Sequence, residues 1–388
     1  MNISLSVRLS WTIAAMACII GASLVAQQPP PVSPAVNAAR PTPLRSPEIH
    51  PDRTATFRLL APKATEVTLN GSWDNGTNLK MTKDDAGVWS TTIGPLAPQL
   101  WGYWFMVDGV KALDPNNAET QRDGARYDNL LMISGAESEW WDFKDVPHGT
   151  VQAVWYPSPT LKLASRRMMV YTPAGYETSS QKYPVLYLLH GGGGDEDAWL
   201  TMGRANIILD NLIAAGKAQP MIVVMPNGYA YGWDSAAAAD KQQTDFQKDF
   251  IDNLIPFVQS NYRVSTNRKH RALAGLSRGG AQTLSIGLRN LQLFSRLGVF
   301  SAGNNNPQEA FKDVAANAQK VNEQLDLLWI GAGTDDFAMA GAKRMAEFLT
   351  ASRIKHTFRT TGGEHTWIVW RRYLQELAPL LWDSRNST

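Results

Sequence analysis

The sequence predicts an α/β fold: a domain built on a mostly parallel, doubly wound sheet, preceded by a small all-β sandwich. Three observations predict it. Residues 46–137 carry short strand patterns separated by turn signals, with no helix-length periodic run. From about residue 150, apolar strand-like runs alternate with amphipathic helical ones, the βαβ pattern of a sheet covered on both faces. One of those apolar runs ends in Gly275-Leu276-Ser277-Arg278-Gly279, a spacing that suits a tight strand-to-helix turn.

Composition narrows the function classes. The chain has 388 residues, near the size of two domains. Its 37 Lys and Arg balance 35 Asp and Glu, and no basic run stands out, so nucleic acid is not an expected partner. Cys18 is the single cysteine, which excludes an internal disulfide framework and a cysteine zinc site. Fourteen Trp are the outlier; they serve either an aromatic core or flat, sugar-like ligands.

The elements follow in order. Arg8 is the only charge before Arg40, and Trp11–Ala26 is an apolar run rich in small residues. Its roughly 16 residues fall short of the roughly 20 that span a membrane. Residues 1–26 therefore read as a secretory signal peptide, and a secreted or periplasmic location follows, without stable membrane insertion after cleavage. Residues 27–45 are dense in Pro and poor in large apolar residues, as befits an extended tether.

Residues 46–137 follow with Thr54–Leu60, Glu66–Asn70, Val88–Ile93 and Trp101–Val107 as strands. The last places Trp101, Tyr103, Phe105 and Val107 on one face and Trp104 and Met106 on the other. The strings FRLLAPKATEVTLNGSW (57–73), GVW, YWFMVDGV and DPNN resemble the immunoglobulin-like early-set domain, a relative of starch-binding modules. That resemblance implies polysaccharide binding through exposed rings, with Trp73, Trp89 and Trp104 as candidates; packing within the sandwich is the alternative.

Residues 138–388 form the second domain. Strands are expected at 167–172, 185–189, 221–225, 271–275, 327–330 and 356–359, and helices at 245–258, near 340–352 and at 367–381. Four motifs carry chemistry. In the elbow, glycines flank Ser277 because a tight turn brings backbones close and strains the Ser backbone. His190-Gly191-Gly192-Gly193-Gly194 follows strand VLYLL; its free N–H groups can face a developing oxyanion, which assigns Gly192 together with the N–H of Arg278. His190 itself reads as a hydrogen-bonding residue of the loop. Asp335 and Asp336 lie just beyond a strand end, where either can orient an imidazole. His365 sits in a loop between strand and helix, free to reach Ser277, whereas His356 falls inside an expected strand. The order Ser, Asp, His is that of α/β hydrolases.

The strings VPHGTV, RRMMVYTPAGYE, YPVLYLLHGGGGDEDAW, VVMPNGYA, GLSRGG, GTDDF and EHTWIVWRRYL resemble the Putative esterase family over about 235 residues. The ending and the early-set partner are similar to carbohydrate esterase family 1, the feruloyl and acetylxylan esterase branch. The resemblance implies that the acid before Phe serves the triad, which selects Asp336. It also implies a serine esterase acting on acylated polysaccharide, with no metal or cofactor. Trp199 and Trp233 are candidate rings for the acyl group or sugar, with core packing as the alternative. A siderophore esterase of the enterobactin type is the second enzymatic reading, and a polysaccharide-binding protein with an inactive hydrolase domain is the reading from another class.

Overall fold

The computed structural model describes residues 44–232 and 235–382. The expected signal peptide and all but the end of the tether lie outside these residues, as does Trp233. Among the described residues no helix is long and apolar enough to cross a membrane.

The first part is all antiparallel. Its strands are β1 (Glu48–Ile49), β2 (Ala55–Leu60), β3 (Val67–Gly71), β4 (Leu79–Lys80), β5 (Thr82–Lys83), β6 (Val88–Ile93), β7 (Gln99–Val107), β8 (Val110–Ala112), β9 (Thr120–Asp123) and β10 (Arg126–Ile133). They form two sheets, β1-β2-β6-β5 and β4-β3-β7-β10-β9, with β8 paired to β7. The alternation in β7 does what the sequence implies. Trp101, Tyr103 and Phe105 enter the core beside Phe57, Leu69 and Leu131, while Trp104 and Met106 stay half-buried. Each fully buried ring contributes about 2 kcal/mol. Trp73 and Trp89 are also buried in this core, so two of the three proposed sugar platforms are packing residues. Trp104 is half-buried, with the Lys111 ammonium 4.4 Å from its ring centre.

The second part holds one eight-stranded sheet. Its strands are β11 (Thr150–Ser158), β12 (Leu163–Thr172), β13 (Val185–Leu189), β14 (Ile222–Pro226), β15 (Arg271–Leu276), β16 (Arg296–Phe300), β17 (Leu327–Gly333) and β18 (Thr357–Thr361). The order is β11-β12-β14-β13-β15-β16-β17-β18. The first two strands are antiparallel additions, and β13 to β18 run parallel. Runs such as VLYLL and IVVMP are buried at every residue because helices cover both faces.

The helices are α1 (Ala198–Thr201), α2 (Ala205–Ala214), α3 (Ala239–Asp249), α4 (Ile255–Asn261), α5 (Arg278–Gly287), α6 (Pro307–Ala310), α7 (Lys312–Ala316), α8 (Ala318–Gln324), α9 (Met339–Ala351) and α10 (Trp367–Leu381). A π-helical turn, Phe250–Leu254, joins α3 to α4, so the helix expected at 245–258 is part of a longer run. One face of the sheet packs Phe246, Phe250, Leu284 and Met345; the other packs Leu209, Tyr373 and Leu377.

The second core does not stop at the sandwich. Leu100 of β7 and Leu130 of β10 join it. Arg371 of α10 is buried and donates to Gln99 Oε1 (2.9 Å), the Leu100 carbonyl (3.1 Å) and the Met202 carbonyl (2.6 Å). Burial without a facing carboxylate pulls its guanidinium down to about 9.

Topology then places a crevice. The chain leaves β13 for β14 on one side and returns to β15 on the other. Loops leaving β13 and β15 therefore diverge at their carboxyl ends, which is where open α/β sheets bind ligands.

Candidate active site

Ser277 follows β15 at that crevice. Its backbone has φ 51° and ψ −117°, a strained conformation for a residue with a side chain. The turn is held by its own N–H donating to the Phe300 carbonyl (2.8 Å) and its carbonyl accepting from Ala281 N–H (3.0 Å). The flanking glycines are obligatory here. A Cβ on Gly275 would stand 2.5 Å from the Gly279 backbone, and one on Gly279 would stand 2.4 Å from the His190 carbonyl oxygen.

His365 reaches this serine from the loop between β18 and α10. Its Nε2 lies 2.9 Å from Ser277 Oγ, and its Nδ1 lies 2.8 Å from Asp336 Oδ1. The carboxylate can only accept, so Nδ1 carries the proton and Nε2 accepts from the serine hydroxyl. Asp336 is 4% exposed, and its Oδ1 also accepts from Ala338 N–H at 2.7 Å. Asp335, by contrast, is exposed and accepts from the Thr334 hydroxyl. His356 bonds the Ile354 carbonyl at the start of β18, in line with a structural role.

The glycine loop after β13 faces the elbow. Gly191 and Gly192 border the same cavity as Ser277. Among the described residues, no acceptor meets the N–H of Gly192 or of Arg278. Both donors remain free, as a pair facing a developing oxyanion would need. The loop is held in place by His190, which is fully buried and neutral. Its Nδ1 donates to the Gly191 carbonyl (2.8 Å), and its Nε2 accepts from Gly228 N–H (2.8 Å). Tyr229 adds a hydroxyl that accepts from Gly193 N–H (2.9 Å) and a ring under the Arg278 guanidinium, 4.2 Å away.

A cavity of about 420 Å³ opens beside Ser277. Leu276, Met202, Trp367 and Trp370 give it apolar walls. Sequence reasoning missed these residues, although Trp367 and Trp370 stand two and five positions after His365. It also missed Phe337, whose exposed ring sits 4.1 Å from the His365 ring. Least foreseeable is the outer wall, where Gln121, Asp123 and Arg126 of the sandwich border the cavity.

One expectation needs correction. Trp199 is 1% exposed and donates its indole N–H to the Leu189 carbonyl at 2.9 Å. It packs edge-on against Phe300 and Trp367 beneath the glycine loop and presents no face to a ligand.

The sheet order and the serine elbow make this an α/β-hydrolase fold. The chain belongs to the Putative esterase family, which matches residues 161–381. An endo-1,4-beta-xylanase/feruloyl esterase of Xylanibacter ruminicola is 32% identical over 343 residues, covering 86% of this chain and 46% of its own length. The chain thus spans less than half of that relative. A ferulic acid esterase of Anaeromyces mucronatus, solved with ferulic acid, is similar at TM-score 0.54 and 24% identity, over 64% of this chain and 99% of its own. The enterobactin esterase of Shigella flexneri is similar at TM-score 0.61 and 18% identity, over 85% of this chain and 93% of its own. These two likenesses speak to fold.

Proposed function

We propose that this protein is a secreted or periplasmic serine carboxylesterase that removes feruloyl or acetyl groups from plant cell-wall polysaccharide such as arabinoxylan. The observation that carries the reading is the unbroken line Ser277 Oγ, His365, Asp336 at the crevice. The family supports the ester chemistry, and the Xylanibacter relative, named for both xylanase and feruloyl esterase activity, supports the substrate class. The apolar, aromatic-walled cavity suits a planar acyl group.

In this reading Ser277 Oγ bonds to the ester carbonyl carbon while its proton passes to His365 Nε2. Asp336 holds the imidazole in its tautomer and stabilises the imidazolium. The N–H groups of Gly192 and Arg278 receive the negative charge that develops on the carbonyl oxygen. Collapse breaks the ester C–O bond, and His365 hands the proton to the departing sugar hydroxyl. Water, deprotonated by the same histidine, then attacks the acyl-serine; the acid departs and Ser277 regains its proton.

The test is release of ferulate and acetate from arabinoxylan by the purified protein, with Ser277→Ala as control. Release of either acid by wild type and of neither by the variant supports the reading. Preferential opening of a ferric catecholate trilactone would redirect it to a siderophore ester. Binding of xylan without any ester cleavage would reduce the chain to a polysaccharide-binding protein.

A further inference from the structure

We propose that the β9–β10 hairpin of the sandwich is part of the catalytic apparatus, with Arg122 as a positioning residue that holds the oxyanion loop in register with Ser277. The proposal rests on the serine-esterase reading above.

The loop 190–198 needs outside support. Four consecutive glycines give it more conformational freedom than any other stretch near the site. Within the hydrolase part, His190 and Tyr229 fasten its beginning. Its end carries three acids, Asp195, Glu196 and Asp197. Arg167 of β12 pairs with Glu196 (2.7 Å) and Asp197 from one side. Arg122 of β9 pairs with Asp195 and Asp197 (2.7 Å) from the other. Asp195 lies three residues beyond Gly192, so the cation from the sandwich grips the chain one short step from the proposed oxyanion donor.

The hairpin also touches the end of α1, the helix that follows the loop, and reaches two of the loop's glycines. The Arg122 N–H donates to the Thr201 hydroxyl (3.3 Å), and that hydroxyl donates to the Arg122 carbonyl (3.2 Å). A Cβ on Gly193 would stand 3.3 Å from the Arg126 guanidinium, and one on Gly194 would stand 2.9 Å from Asp123 Oδ1. The Arg126 and Asp123 side chains of the hairpin therefore reach over Gly193 and Gly194, where a side chain on either glycine would crowd them. Asp195 and Asp197 are mostly buried, and Arg122 is about one-quarter exposed, so the pairs are shielded from solvent screening.

Positioning has a kinetic signature. An oxyanion donor acts only as the tetrahedral species forms, so displacing it lowers kcat and spares ground-state binding. A shift of about 1 Å in such a donor costs on the order of a hundredfold, and a smaller shift costs about tenfold.

The experiment compares wild type, Arg122→Ala, Arg122→Lys, Asp195→Asn and Ser277→Ala on p-nitrophenyl acetate, whose acyl group is too small to need the outer wall. The expected result for Arg122→Ala is a kcat about tenfold to a hundredfold lower with KM within about twofold. Inactivation by diethyl p-nitrophenyl phosphate should slow by a similar factor. Arg122→Lys should recover part of kcat, because its ammonium reaches one carboxylate and not two. Asp195→Asn should mimic Arg122→Ala and serves in its place if that variant does not fold. A kcat within twofold of wild type in both Arg122→Ala and Asp195→Asn overturns the proposal. So does a loss carried wholly by KM. Absence of wild-type turnover, or turnover by Ser277→Ala, overturns the esterase reading instead.

Discussion

His190 should make the protein acid-sensitive by an amount that follows from its burial. It is 1% exposed, and burial pulls its pKa from 6.5 down to about 4. Above pH 6.5 the imidazole is neutral in both the folded and unfolded chain, and its contribution to stability is complete. Between 6.5 and 4 the unfolded chain takes up the proton and the folded one does not, so stability falls as pH falls. Below 4 both are protonated and the loss is finished. At about 1.4 kcal/mol per pH unit this window amounts to about 3 kcal/mol, of which about 2 kcal/mol is gone by pH 5.

The assay is urea unfolding at pH 7 and pH 5 for wild type and His190→Gln. The amide can still accept from Gly228 N–H but does not titrate between those values. Other groups titrate in the same window. Burial raises Asp195 to about 6, so acidification relieves the cost of its buried charge, with the opposite sign. Such contributions are common to both proteins and cancel in the difference. Wild type should lose about 2 kcal/mol more than His190→Gln on going from pH 7 to pH 5. Equal losses would mean that the folded chain takes up the His190 proton as readily as the unfolded one, so that burial and the Gly228 N–H contact do not hold the imidazole neutral.

Further expectations concern the site. Asp336→Asn should lower kcat on p-nitrophenyl acetate by about 10⁴, whereas Asp335→Asn should stay within a few-fold, since only Asp336 meets the imidazole. EDTA should leave turnover intact, because the proposed chemistry runs through side chains and backbone N–H groups alone. Trp199→Ala should cost about 3–5 kcal/mol of stability by opening a cavity under the glycine loop, readable as a lower unfolding midpoint. Trp367→Ala should raise KM for methyl ferulate more than for p-nitrophenyl acetate, since an indole wall matters to a ring and little to a methyl group.

Much of this was legible in the sequence, for identifiable reasons. Buried parallel strands are continuous apolar runs, so VLYLL and LLWI declared themselves. The elbow is local: Gly275, Ser277 and Gly279 are neighbours in the chain and in space. His365 could be chosen because few histidines follow the elbow and loops leave the strands at one edge of the sheet; Asp335 and Asp336 stood equal on spacing, and it was the family resemblance that selected Asp336. Other elements were silent. Strand β16 (RLGVF) opens on Arg296 and sets a glycine among its three apolar residues, so no continuous apolar run marks it. Helices α6 to α8 are four to seven residues long, too brief for a 3.6-residue period to show. Trp199 misled because a tryptophan after a glycine loop reads the same whether its ring faces a ligand or the sheet.

The deepest omission is the β9–β10 hairpin, and its invisibility has a physical cause. Strand β9 (TQRD) and the first half of β10 (RYDN) are polar, so no apolar alternation announces their pairing, and only the LLMI half of β10 carries an apolar run. The polar stretches are polar because their partners are. Arg122 answers Asp195, 73 residues away, and the Arg126 and Asp123 side chains reach over Gly193 and Gly194, which offer no side chain to pack against. The same holds for Arg371 and Gln99, 272 residues apart. A surface that meets an acidic loop of another part of the chain is written in charges, and in one sequence a charge reads first as a solvated face. Two such contacts, one at the oxyanion loop and one at the helix following His365, tie the sandwich to both halves of the proposed machinery. Removing the sandwich should therefore cost turnover of even the smallest ester, which a detachable polysaccharide-binding module would leave unchanged.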